Sequence, residues 1–248
     1  MSGKVAVVTG GIGGIGTEIC RELAKAGYRV VACDTPLAAE HFAAWTQERK
    51  DEGMDIPVYG VDVASFDSCR DALQKITAEV GPVDVLVNGA GITKDGTLKK
   101  MTLDQWRAVL STNLDSVFNM TRNVIDGMLE RGYGRVINIA SVNGAKGQLG
   151  QCNYSSAKAG MHGFTMALAQ EVARKNITVN TISPGYIGTK MVMAIPEDVR
   201  NKIIAQIPVG RLGKPEEIAR LVVFLSDENT GFMTGANVHI NGGQFMEH

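Results

Sequence analysis

Short β-branched runs that alternate with amphipathic stretches constrain this chain more than any other feature. The runs lie at 4–9, 29–33, 57–61, 83–88, 135–140, 178–183 and 237–240. Helical periodicity fills 16–26, 41–52, 66–80, 103–131, 153–175 and 215–226. A strand followed by a helix and another strand is a crossover unit, and repeated units build a parallel sheet with helices on both faces. The runs are nearly continuously apolar, as burial on both faces requires. The pattern predicts an α/β fold over residues 1–248: one domain, a doubly wound parallel sheet of about seven strands. Segment 185–213 breaks the rhythm and is expected to form a substrate loop or lid at the carboxyl edge of the sheet.

Composition narrows the class. With 248 residues the chain buries enough surface to need no disulfide or metal staple. Lys plus Arg number 25 and Asp plus Glu 26, a net charge of −1, which gives no footprint for duplex nucleic acid or an anionic membrane. Cys20, Cys33, Cys69 and Cys152 form no CxxC pair, and His41, His162, His239 and His248 are dispersed, so no metal site is expected. Thiol use and the lack of an apolar leader or a 20-residue apolar span point to a reducing, cytoplasmic setting.

The first run ends in Thr9-Gly10-Gly11-Ile12-Gly13-Gly14-Ile15-Gly16, and a helix begins at once. Glycines at such a junction let the backbone turn tightly and approach a pyrophosphate held on the helix N-terminus, as in a Rossmann-like dinucleotide site. Two frames fit: Gly11-x-Gly13-x-x-Gly16, and Thr9-Gly10-x-x-x-Gly14-x-Gly16. Asp34 ends the second run, 18 residues beyond Gly16, where an acid takes the ribose 2′-hydroxyl of NAD and repels the 2′-phosphate of NADP. A helix cap before Thr35-Pro36 would also explain it. The nearest downstream arginine, Arg49, falls on a stretch expected to face solvent. The balance favours NADH, with NADPH possible.

Tyr154 and Lys158 are four apart, which puts both on one helix face. An ammonium there would favour tyrosinate and lower the tyrosine pKa, suiting it to exchange a proton with a hydroxyl or carbonyl. Alone, this is an ordinary helix-surface spacing. Ser141, 13 residues before Tyr154 at the end of the fifth run, adds a polar group at the ligand-binding edge.

Together, Thr9-Gly-x-x-x-Gly-x-Gly16, Asn88-Gly89-Ala90-Gly91, Asn113, Ser141, Tyr154-x-x-x-Lys158 and Pro184-Gly185 resemble the short-chain dehydrogenase/reductase family over essentially the whole chain. The resemblance favours the longer-spaced glycine frame. It implies Tyr154 as acid/base and Lys158 as its partner and as a hold on the nicotinamide ribose. It also implies that Ser141 polarises the carbonyl and that Asn113 supports a water relay. Gly10, Gly11, Gly13, Gly14, Ile15, Gly16, Asp34, Asp62, Val63, Asn88, Ala90, Gly91, Pro184, Gly185, Ile187 and Thr189 would join Tyr154 and Lys158 around the cofactor. Two positions depart from the pattern: Gly89, where asparagine is usual, and Asn241, where aspartate is commoner. Gly89 is expected to keep backbone freedom while losing one side-chain amide.

The stretch from Ser141 to Tyr154, with Ile92-Thr-Lys-Asp95 and Pro184-Gly-Tyr186, resembles the acetoacetyl-CoA reductases of polyhydroxyalkanoate synthesis. That likeness implies an acyl-CoA thioester substrate with Asp95, Ser141, Gln148, Gln151 and Tyr186 at its short 3-oxoacyl group and pantetheine arm. The 3-oxoacyl-(acyl carrier protein) reductases share every one of these catalytic motifs, and Arg131 and Arg174 could serve an acidic carrier or simply cap solvated helix ends. A non-catalytic dinucleotide-binding sensor is the reading from another class. Met120, Met128, Met161, Phe164 and Met166 supply core or subunit contacts, and the family resemblance implies a homotetramer.

Overall fold

The computed structural model describes residues 3–246, so His248 lies outside the described residues. Seven strands form one parallel sheet: β1 (Val5–Thr9), β2 (Arg29–Asp34), β3 (Val58–Gly60), β4 (Val83–Asn88), β5 (Gly134–Ile139), β6 (Ile177–Pro184) and β7 (Asn237–Ile240). Their order is β3-β2-β1-β4-β5-β6-β7, so the winding reverses between β1 and β4. This is the expected Rossmann-like α/β fold.

Alternation along β1 shows why the strands are apolar throughout. Val5 and Val7 enter one core layer with Leu73, Ile76, Met120 and Met128, while Ala6 and Val8 enter the other with Ile19, Leu23, Ile218 and Val222. The first layer is covered by α3 (Phe66–Glu79) and α5 (Ser116–Arg131), the second by α1 (Gly14–Lys25) and α10 (Pro215–Ser226). Local chemistry sets the helix ends. Ser65 caps α3, and Thr102 with Gln105 forms a capping box on α4 (Leu103–Leu110). Gly132, at φ 64°, closes α5 in the left-handed region.

The stretch 103–131 is not one regular helix. Between α4 and α5 the chain makes a π turn, Ser111–Asp115. Sequence periodicity also passed over α6 (Val142–Lys146), α8 (Lys190–Met193) and α9 (Glu197–Ile204), which are too short to show it. Around α2 (Ala39–Asp51) the surprise is Arg49, expected in solvent but 3% exposed. Its guanidinium lies 5.1 Å from the Trp45 ring and pairs with Glu48 and Glu52, which explains the burial. Met120, Met128 and Met161 are core residues, whereas Met166 is half exposed.

Residues 185–213 leave and rejoin the body at one point. Gly188 donates to the Gly213 carbonyl and Gly213 to that of Tyr186, so both ends of the excursion are pinned together. Among the described residues no helix is long and apolar enough to cross a membrane, and no metal-binding cluster occurs.

Candidate active site

Parallel register brings Thr9, Asn88 and the end of β2 to one edge of the sheet, at the point where the winding reverses. Crevices form there because neighbouring connections leave in opposite directions. The Thr9 hydroxyl accepts from the Gly89 and Ala90 amides at 3.1 and 3.2 Å, joining the two turns that wall the crevice. Of the loop glycines, Gly10 takes positive φ (67°), and a Cβ on Gly16 would run into the Gly10 carbonyl. That assigns the tight turn to the longer-spaced frame. Gly11 continues the sheet instead, donating to the Cys33 carbonyl at 3.0 Å. Helix α1 then starts from Gly13 with no side-chain cap and no acidic residue in its first turn, and Ile15 beside it is half buried against the core. An uncapped helix end behind a glycine-rich loop fits a dinucleotide pyrophosphate.

Asp34 stands over this loop. Its carboxylate accepts from Ile12 N–H at 3.3 Å and Thr35 N–H at 2.9 Å, so it acts as a local turn brace as well as facing the crevice. Asp62 is exposed just past β3, and Val63 beside it is buried. Thr189 caps α8 and packs so close to Gly14 that a Cβ there would sit 3.2 Å from its side chain. The 185–213 excursion therefore reaches the glycine loop. Pro184 ends β6, Gly185 abuts Asn241, and Ile187 is buried beneath the excursion. Asn88 points elsewhere: its amide donates to Asn138 (2.9 Å) and Thr121 (3.3 Å) inside the sheet layer. Gly89 has no positive φ, so backbone freedom is not its reason. A Cβ there would meet the Thr9 carbonyl at 2.8 Å.

Across the crevice, Ser141 follows β5 and caps α6, accepting from the Asn143 N–H at 3.1 Å. Tyr154 and Lys158 lie in α7 (Cys152–Val172), with the Lys158 Nζ 5.6 Å from the Tyr154 ring centre. Lys158 is buried and donates to the Ile139 carbonyl at 2.8 Å. Asn113, in the π turn, clamps Ile92 through both of its amide atoms, at 2.8 and 2.9 Å. A Cβ on Gly91 would stand 3.3 Å from Asn113 Oδ1 and 3.5 Å from Lys158 Nζ, so that turn lies directly against both side chains. The four proton-transfer candidates thus converge.

Their electrostatics differ from the sequence expectation. Burial pushes the Lys158 amine down to about 7, so near neutrality it carries only part of a charge. Burial also raises Tyr154, against a lowering by its hydrogen bond to Ser141, and the Asp95 carboxylate raises it further. The net direction for Tyr154 is upward, towards the protonated phenol, and not the lowering that a lysine neighbour was expected to give.

Residues 4–200 match the short chain dehydrogenase family. The chain belongs to that family. An acetoacetyl-CoA reductase of Allochromatium vinosum is 59% identical over 243 residues, covering 98% of this chain and 99% of that protein. That of Cupriavidus necator is 57% identical over 246 residues, 99% and 100% of the two chains. The 3-oxoacyl-acyl-carrier-protein reductase FabG of Vibrio cholerae is 41% identical, covering 99% of each. This short-chain dehydrogenase is an NAD(P)H-dependent oxidoreductase.

The residues expected at the dehydrogenase's substrate side fall into three places. Asp95 and Gln151 meet: Gln151 Nε2 donates to Asp95 at 3.0 Å, and the Gly96 N–H to the Gly150 carbonyl at 2.8 Å ties the same two loops. Gln148 is exposed and held by Lys146. Tyr186 lines a small separate cavity of about 70 Å³ with Ile207 and Val209. Two asparagines escaped sequence reading. Asn143 donates to Gln151 at 2.9 Å. Fully buried Asn153 donates to the Lys94 and Gln105 carbonyls and accepts from the Tyr154 N–H at 2.8 Å, fixing the start of α7. A serine two residues before one asparagine and a tyrosine just after the other were the available signals.

Proposed function

We propose that this enzyme reduces the 3-oxo group of acetoacetyl-CoA and other short 3-oxoacyl-CoA thioesters, giving 3-hydroxybutyryl-CoA, with NADH preferred over NADPH. The observation that carries the reading is the end-to-end likeness to acetoacetyl-CoA reductases at 59% and 57% identity, with Ser141, Tyr154 and Lys158 gathered at one edge. By that likeness the product feeds polyhydroxybutyrate synthesis in the cytoplasm.

The loop Gly10–Gly16 and the α1 N-terminus would hold the pyrophosphate, Asp34 the adenine ribose, and Thr189 and Lys158 the nicotinamide end. When bound, the nicotinamide cofactor supplies the hydride. Tyr154 gives its proton to the carbonyl oxygen, and the Ser141 hydroxyl donates a hydrogen bond to the charge growing there. The Asn143 amide occupies a lone pair of Ser141 Oγ, which leaves the serine proton free to donate. Lys158 returns a proton towards Tyr154, with Asn113 keeping the Ile92 turn in place beside it.

Asp34 supports the NADH preference, since a carboxylate at the ribose repels a 2′-phosphate and the nearby Arg49 is committed to Glu48 and Glu52. The carrier-protein reading has less support. Within one chain Arg131 binds the Val83 carbonyl and Asp84 at the start of β4, and Arg174 precedes β6, both at the edge away from Tyr154. Assembly as a homotetramer is supported by the apolar groove along α5 and α7, lined by half-exposed Phe118 with Ile125, Phe164 and Leu168.

Initial rates with acetoacetyl-CoA, with NADH and NADPH compared, test the proposal. Fast turnover with NADH is expected. Turnover only with NADPH would overturn the role of Asp34, and no turnover with either would overturn the substrate.

A further inference from the structure

A string of hydrogen bonds crosses the mouth of the site. Asn143 N–H holds Ser141 Oγ at 3.1 Å, Asn143 Nδ2 donates to Gln151 Oε1 at 2.9 Å, and Gln151 Nε2 donates to Asp95 Oδ2 at 3.0 Å. Gln151 also precedes α7 directly, its carbonyl accepting from the Ser155 N–H at 2.8 Å, so the string is anchored to the turn that carries Tyr154. The Gly96 to Gly150 bond and the Asn153 bond to the Lys94 carbonyl keep the Asp95 loop against that turn. An otherwise free surface carboxylate is thereby held in one place against the turn that carries Tyr154.

We propose that Asp95, tied by Gln151 and Asn143, is a positioning residue whose negative charge keeps Tyr154 in its proton-carrying form and so biases the site towards carbonyl reduction. The inference rests on the reading of Tyr154 as the proton donor. A tyrosinate beside a fixed carboxylate is a like-charge pair, so ionisation is disfavoured. A donor that keeps its proton serves reduction, and the reverse oxidation needs the ionised phenol. The groups facing Tyr154 are few. Lys158 lies on its own helix and carries partial charge near neutrality, Ser141 comes from the β5 edge as a neutral hydroxyl, and Asp95 comes from the loop after β4. Of these, Asp95 is the anion.

The test uses Asp95→Asn, which keeps an acceptor for Gln151 and removes only the charge. Ultraviolet difference titration of the cofactor-free protein, with Tyr154→Phe subtracted, reads the ionisation of Tyr154 directly. Its midpoint is expected to fall by about half a pH unit or more in Asp95→Asn. The alkaline limb of kcat for reduction should move down with it, and oxidation at neutral pH should gain. Gln151→Leu, which leaves the charge but unties it, should shift the midpoint in the same direction by less. Unchanged midpoints in both variants overturn the proposal, even if KM for the thioester rises, since a KM change alone makes Asp95 a binding group. Full activity in Tyr154→Phe would instead overturn the reading of the donor, an outcome that the titration does not depend on.

Discussion

Two of the buried cations, Arg135 and Lys158, lie at opposite edges of the same sheet, and their surroundings differ in kind. Arg135, on β5 at the amino edge, is 0% exposed and donates to four carbonyls, those of Gly134, Asn176, Asp227 and Glu228, at 2.9 to 3.3 Å. Its guanidinium also stacks 4.5 Å from the Tyr133 ring. Lys158, at the carboxyl edge, is 4% exposed and has one oxygen partner, the Ile139 carbonyl, with only the Met161 sulfur 3.9 Å away besides. A cation with every nitrogen bonded is a rivet. One left short of partners is driven towards neutrality by burial and can exchange a proton near pH 7.

The comparison breaks most visibly if Lys158 is removed. Lys158→Met should cut turnover by about 10²- to 10⁴-fold. Its melting temperature should hold or rise, since exchanging an ill-partnered buried amine for an apolar side chain of similar volume is often stabilising. Steady-state rates beside a thermal melt check both halves. A fully active variant would make Lys158 a packing residue.

Arg135→Met should do the opposite. It strips the donor from four carbonyls, just past α10, before β6 and at the start of β5, at a cost of about 3 kcal/mol or more. Activity per folded molecule should stay near that of the parent. Urea unfolding with rates normalised to the folded fraction decides it.

Stability against pH sharpens the contrast. A lysine depressed from 10.5 to about 7 on folding means that the unfolded chain binds the extra proton between those values. Stability therefore rises with pH across that window. Raised Tyr154 and the raised buried thiols of Cys20 and Cys33 act in the reverse sense towards its alkaline end. The difference between the parent and Lys158→Met cancels them, and it should grow in the parent's favour from pH 7 to pH 9. Arg135→Met should keep the parent's slope.

The two cations also mark how far the sequence could be read. Strand–helix alternation located all seven strands, and fixed spacings found Ser141, Tyr154 and Lys158, because period and order are local properties. The π turn at Asn113 is not local: it is held by the clamp on Ile92, 21 residues away. The same limit explains Arg135, whose burial depends on the distant carbonyls of Asn176 and Glu228. Arg49, in contrast, is held by Trp45, Glu48 and Glu52 within four residues, a local pattern that a reading by helical period passed over. Tyr154 misled for a related reason. Its spacing to Lys158 was legible, but the burial that weakens the lysine charge was not.

The smallest effect concerns a residue that satisfies both kinds of partner. Asn241, where the family resemblance leads one to expect aspartate, donates to the Phe245 carbonyl at 2.8 Å while its Oδ1 accepts from the Gly243 N–H at 3.0 Å. Asn241→Asp keeps the acceptor and sets a carboxylate oxygen against the Phe245 carbonyl. It should cost about 1 kcal/mol, with kcat unchanged. A melt of the variant at pH 7 reads the loss, and repeating it at a pH that protonates the new carboxyl should recover part of it by restoring a donor. No recovery would mean that the amide is dispensable there, and that partner count at this turn, unlike at Arg135, contributes little to stability.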